Sequence, residues 1–143
     1  MNDIEIAKNE LYEGKLTLSI IKNREILFET KSHRITGFLD AIESLGEKLT
    51  GASLADRVVG KAVALLCIHA GIKQVYAVVL SRKGQSVLKE GKVLVQWNEL
   101  VDNILDENKD NVCPFERTAS NISDPKEAYT KFINLREKLR ACR

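Results

Sequence analysis

The chain has 143 residues, of which 44% are apolar and 29% charged, and its formal charge is +2. That length and balance fit one globular domain spanning 1–143, and they exclude the disordered and fibrous classes. No apolar run reaches the ~20 residues of a membrane span, no basic stretch leads into a long apolar core as in a secretory signal, and a charge so near neutrality gives no strong pull toward nucleic acid or an anionic membrane.

Residues Ile4 to Tyr12 carry the spacing of a short amphipathic helix, and Gly14 is a natural stop. Leu16 to Ile21 mostly alternates apolar with polar, and Ile26 to Thr30 is a second β-prone run. The tight Lys22-Asn23-Arg24-Glu25 segment between them predicts a hairpin. Ile35, Phe38, Leu39, Ile42 and Leu45 repeat at helical spacing. Gly46 and Gly51 bracket a loop. Ser53 to Ala70 reads as one helix, apolar on nearly every side and so buried, with Asp56, Arg57 and Lys61 in its first turns and Gly71 as its stop.

Val75 to Leu80 is a continuous apolar run suited to a central strand covered on both faces. A short helix is predicted near Ser86 to Lys89, and a second inner strand over Val93 to Trp97. Leu100, Ile104 and Leu105 suggest another short helix. Asn108 to Ser123 reads as irregular. Asp124-Pro125 opens a last helix, with Asp at the cap and Pro in the first turn. A hairpin followed by alternating elements implies an α/β fold: a mixed sheet with helices on both faces, a three-layer α/β/α sandwich.

Three cysteines, Cys67, Cys113 and Cys142, form no C-x-x-C pair. With no signal peptide, an odd count argues for free thiols in a reducing, cytoplasmic setting. Three scattered cysteines and two histidines, His33 and His69, do not compose a metal site, so neither metal nor cofactor is expected. His69-Ala70-Gly71 has a glycine where a zinc deaminase motif needs glutamate, and no Pro-Cys-x-x-Cys follows it. Its plain reading is a histidine near a helix C-terminus.

Two segments carry candidate chemistry. The first is Ser53-Leu54-Ala55-Asp56-Arg57-Val58-Val59-Gly60-Lys61. Ser53 and Asp56 fit a capping box. Alternatively this helix start faces a cleft, where free N–H groups favour an anion. Read as a helix, Asp56 and Lys61 lie ~140° apart around the axis and ~7.5 Å along it, able to border one cleft. Gly60 in a helix interior costs about 1 kcal/mol against Ala, which implies a close approach by a strand or ligand. The second segment is Cys113-Pro114-Phe115-Glu116, in a long loop. Cys113 is either a buried small hydrophobe or a thiolate favoured by a cation such as Lys61.

The charge runs say less. Residues 99–124 hold seven acids and two bases, while 126–143 hold six bases and two acids. The basic end of the last helix suits a solvated helix C-terminus. Nucleic-acid binding is not expected, because the single Trp97 lies in a strand pattern and supplies no stacking platform.

Leu11-Tyr12-Glu13-Gly14, Ala55-Asp56-Arg57-Val58-Val59-Gly60-Lys61-Ala62, Val75-Tyr76-Ala77 and Cys113-Pro114-Phe115-Glu116 together resemble domain-of-unknown-function family 1893, over about residues 8–135. That family is similar in fold to cytidine deaminases. The resemblance implies their sandwich. In deaminases the helix after the hairpin begins with the zinc His or Cys and the catalytic Glu, and Pro-Cys-x-x-Cys follows the next strand. On the element assignment above, the counterparts are Asp56 to Lys61 and Ser81-Arg82-Lys83-Gly84-Gln85, so the zinc ligands are missing and deamination does not carry over. The expected function is a zinc-free, cytoplasmic protein that binds a small anionic or nucleotide-like ligand. Asp56, Lys61 and Cys113 are the candidate catalytic groups, and Ser53, Gly60 and Glu116 the candidate binding groups. The rival reading is a non-catalytic binding or assembly module in which the same residues cap, pair and pack. The fold class is compatible with a homodimer.

Overall fold

The computed structural model describes residues 1–32, 35–105 and 113–141. Helix α1 (Asp3–Glu13) begins where Asn2 Oδ1 accepts the Glu5 N–H at 3.0 Å, and it ends at Gly14. Ile4, Ala7 and Leu11 form its buried stripe. Strands β1 (Leu18–Lys22) and β2 (Glu25–Thr30) form the expected antiparallel hairpin. Asn23 and Arg24 both have positive φ, 53° and 65°, as a type I′ turn requires. No glycine relieves that turn. Instead the Asp3 carboxylate accepts both turn N–H groups, from Asn23 at 3.0 Å and from Arg24 at 2.8 Å.

Helix α2 (Thr36–Leu45) follows as its spacing predicts, and a 3-10 turn spans Gly46–Leu49. Ser53 to Ala70 is not one helix. It is strand β3 (Ser53–Val59), then helix α3 (Lys61–Ala70), with Gly60 as the helix N-cap. An apolar run covered on both sides shows no period that separates strand from helix, and Val58-Val59 favours the strand. Ser53 therefore caps nothing. Its hydroxyl oxygen is buried at the start of β3 with no hydrogen-bond partner among the described residues. Asp56 and Lys61 sit on different elements, so their helical geometry does not exist.

Strands β4 (Gln74–Ser81) and β5 (Leu94–Val101) flank helix α4 (Arg82–Glu90). The sheet order is β2-β1-β3-β4-β5; β1 runs antiparallel to β2 and β3, while β3, β4 and β5 are parallel. Val75 to Leu80 is an inner strand, as read. Val93 to Trp97 is not: β5 lies at the edge and most of its side chains are exposed. Leu100 belongs to that strand, and Ile104 and Leu105 form no helix. Within the segment read as irregular, Pro114–Ala119 forms a short helix, α5, and residues 106–112 lie outside the described ones. Helix α6 (Pro125–Ala141) starts as expected, with Asp124 Oδ2 accepting the Glu127 N–H at 3.2 Å.

Helix α1 covers one face of the sheet through Ile4, Ala7 and Leu11 against Ile21, Ala55 and Tyr76. The remaining helices contribute to the larger core on the other face, where Leu54, Val75 and Ala77 meet Phe38, Leu66, Leu88 and Phe132. The α/β architecture with helices on both sides of a mixed sheet is as the sequence predicts. No helix among the described residues is long and apolar enough to cross a membrane.

Candidate functional site

Strand β3 delivers Asp56 to the centre of the sheet, between Leu18 of β1 and Ala77 of β4. Asp56 is only 8% exposed. Its Oδ1 accepts the Val58 N–H at 3.2 Å. Burial pushes its pKa up to about 7, against the opposing pull of those backbone N–H groups and of Arg57. Arg57 does not pair with it. Arg57 belongs to the α1 side, where it donates to the carbonyls of Leu16 at 2.8 Å and Leu11 at 2.9 Å and lies over the Tyr12 ring.

Asp56 lines a cavity of about 270 Å³ between the strand ends, α3 and α5. The walls are mainly apolar, with Ile35, Val58, Val63, Ile104 and Phe115 among them. The polar groups are Asp56, Arg57, Glu116, Thr17 and the half-buried thiol of Cys113. The Thr17 hydroxyl is committed elsewhere, donating to Thr30 O and Ser32 O. Helix α5 aims Glu116 at the start of α3, where its Oε1 accepts the Ala62 N–H at 3.1 Å. Burial raises the Glu116 pKa, opposed by the Ala62 and Lys61 N–H groups and by the charges of Lys83 and Lys61. The chain thus supplies its own anion to the N-terminus of α3.

Gly60 is where that contact becomes possible. A Cβ on Gly60 would run into the Glu116 carboxyl and lie 2.8 Å from Ile104 Cγ1. A Cβ on Gly84, in α4, would lie 2.9 Å from the Gly60 carbonyl. The close approach expected at Gly60 comes from the protein itself.

Of the predicted residues, Asp56, Gly60, Cys113 and Glu116 share this cavity. Lys61 does not line it. Lys61 Nζ donates to Ser120 O at 3.3 Å and borders a separate cavity with Leu65, Lys83 and Ser86. Ser53 lies at the other end of β3, beside Asn2, Asn23 and Lys73. Sequence reasoning missed Thr17, Ile35 and Ile104. Only the topology brings them together, since each looks like an ordinary strand, helix or loop residue.

In this topology the helix after the hairpin is α2, and the helix after the next strand is α3. The correspondence expected from the sequence is therefore shifted by one element. The first turn of α2 carries Thr36, Gly37 and Phe38, and that of α3 carries Lys61, Ala62 and Val63. Neither turn offers a thiol or imidazole, and no three His, Cys, Asp or Glu among the described residues gather to hold a metal. Among the described residues the donor set does not fit a deaminase zinc. His33 lies outside the described residues.

Comparison with solved structures shows the fold. A DUF1893 family protein from Thermotoga maritima superposes with a TM-score of 0.84 at 22% identity, over 93% of this chain and 89% of its own. A diaminohydroxyphosphoribosylaminopyrimidine deaminase/5-amino-6-(5-phosphoribosylamino)uracil reductase, also from Thermotoga maritima, aligns with a TM-score of 0.51 at 18% identity, over 81% of this chain and 39% of its own. The search of curated proteins finds no match. The family described as "Domain of unknown function (DUF1893)" matches residues 6–136. The chain belongs to that family, and its fold is deaminase-like.

Proposed function

We propose that the protein binds a small, planar, nucleobase-like ligand in the cavity between Asp56 and Glu116, without zinc. The observation that carries this reading is Asp56: a buried carboxyl lining an otherwise largely apolar cavity. Cavities of this kind, apolar with a few placed polar groups, are the usual form of a small-molecule site. Carboxyl groups accept hydrogen bonds, so the matching ligand offers N–H donors. Of the two ligand classes the sequence suggested, a nucleotide-like molecule fits this better than a simple anion, because Glu116 already occupies the N-terminus of α3. Asp56, with its pKa raised to about 7, is the group suited to holding or exchanging a proton with the bound ring near neutral pH. Cys113 borders the same space. A cytoplasmic setting agrees with its thiol and that of Cys67 being free.

A thermal-shift series with free nucleobases, nucleosides, nucleotides and inorganic phosphate tests the reading. A ligand at 100 times its Kd adds about 2.7 kcal/mol of stability. A base or nucleoside should shift the melting temperature, inorganic phosphate should not, and Asp56→Leu should abolish the shift. If no base, nucleoside or nucleotide shifts it, or the shift survives in Asp56→Leu, the reading is wrong and the cavity's polar groups are structural.

A further inference from the structure

Side chains alternate along β1, Leu18 and Ile20 facing the larger core and Ile21 the core under α1. Ser19 therefore faces α1. It is fully buried there, and its hydroxyl oxygen has no hydrogen-bond partner among the described residues. Ser19 stands directly opposite Glu29 of β2. Residues facing each other across an antiparallel pair turn their side chains to the same side, with Cβ atoms ~4.5–5.5 Å apart. Glu29 is half-buried, and its Oε1 is a second buried oxygen with no partner among the described residues.

Helix α1 brings a third group to this place. Glu10 comes three positions after Ala7 and one before Leu11, at the margin of the buried stripe. Its carboxyl lies within hydrogen-bonding reach of the Glu29 carboxyl. Burial, then the charge and the hydrogen bond of Glu10, raise the Glu29 pKa, and no cationic side chain among the described residues opposes them. Two ionised carboxylates in contact repel, so at neutral pH they stay together only with positive charge between them.

We propose that Glu10, Glu29 and the Ser19 hydroxyl bind a hard divalent cation, magnesium or calcium, at the seam between α1 and the β1–β2 hairpin. Two carboxylates balance the charge of the ion, and Ser19 Oγ adds a neutral oxygen. An all-oxygen donor set suits these ions and differs from the thiolates and imidazoles of a zinc centre. Both carboxylates are half-buried, so water reaches the site and completes the ion's shell. A proton shared by the two carboxyls would relieve their repulsion but leave Ser19 Oγ and Glu29 Oε1 without partners. A cation takes up all three groups. With only two charged ligands the affinity belongs to the weak end of such sites, a Kd of about 10⁻⁴–10⁻³ M. Helix α1 packs mainly on β1, β3 and β4. The ion fastens it to β2 as well, as Asp3 fastens it to the hairpin turn.

Melting of the full chain near neutral pH in magnesium or calcium chloride, against sodium chloride of equal ionic strength, tests this. At ten or more times the Kd, either divalent salt should raise the melting temperature by ~3 °C or more over the sodium control. Calorimetric titration should count one ion per chain. Glu29→Gln keeps the shape of the side chain and removes one charge. It should abolish the difference between the salts without lowering the melting temperature in sodium chloride, because the repulsion from Glu10 is gone. Ser19→Ala should weaken binding severalfold. Glu10→Gln, on the half-exposed flank of α1, should act as Glu29→Gln does, and it keeps the proposal testable if a strand variant fails to fold. No divalent effect beyond sodium overturns the proposal, as does an effect that survives Glu29→Gln and Glu10→Gln, or binding unchanged in Ser19→Ala. A protein stabilised through Glu29 on acidification yet indifferent to both ions also overturns it, because the pair then holds only a proton.

Discussion

Gly60→Ala separates a steric requirement for glycine from a conformational one. Gly60 has φ −108° and ψ −166°, an extended backbone that alanine adopts freely. By backbone entropy alone the substitution should stabilise by about 0.4–1 kcal/mol. The structure predicts the opposite sign. The new methyl would occupy the place of the Glu116 carboxyl and press on Ile104 Cγ1 at 2.8 Å. Glu116 would swing away and lose the Ala62 N–H that it holds at 3.1 Å. Losing a helix-capping contact costs about 0.5–2 kcal/mol, and forcing a side chain off its rotamer about 0.5–1.5 kcal/mol. The net is a destabilisation of roughly 1–2 kcal/mol, or ~3–8 °C in melting temperature for a chain of this size. Urea unfolding of Gly60→Ala, Glu116→Ala and the double variant measures it as a thermodynamic cycle. With Glu116 shortened the clash with its carboxyl is gone and the contact with Ile104 Cγ1 remains, so the two changes should couple by ~1 kcal/mol. A Gly60→Ala protein more stable than wild type, or a cost unchanged in the Glu116→Ala background, would falsify the assignment of the contact.

Asp56 gives a pH signature. Its native pKa of about 7 exceeds its ordinary value of 3.8, so the native state binds its proton more tightly than the unfolded state does. Its contribution to stability is full below pH ~4 and is lost as pH rises toward 7. Asp56→Asn should flatten that slope in melting temperature and be more stable than wild type at pH 8; an unchanged slope refutes the burial argument. Cys67 lies wholly buried in α3, and burial, then the nearby Asp56, raises its thiol pKa well above the ordinary value. It should resist iodoacetamide until the protein unfolds, and labelling in the native state would contradict its placement. Lys61→Met should leave the ligand-induced thermal shift in place, because Lys61 borders a different cavity; a lost shift would restore the link the sequence suggested. Elemental analysis should find no stoichiometric zinc, whereas one tightly held ion per chain would overturn the zinc-free reading.

Local chemistry determined much of this protein. Asp124 marks a helix start, Gly14 and Gly71 mark helix ends, and the hairpin, α2 and β4 follow from local pattern. The Asp56-to-Ala62 and Cys113-to-Glu116 strings also marked both halves of the candidate cavity. Only the tertiary structure divided Ser53 to Ala70 at Gly60. A segment buried on every side has no polar face to reveal its period, so strand and helix look alike until neighbouring strands claim the backbone hydrogen bonds. That division moved Ser53 to one end of β3 and turned Lys61 away from Asp56. It also showed what Gly60 makes room for: the carboxyl of Glu116, more than fifty residues along the chain. Likewise Val93 to Trp97 is apolar enough for an inner strand, and its place at the edge follows from the sheet order, which composition does not encode. Position along the chain fixes what a residue is; only the fold decides which distant residue stands opposite it.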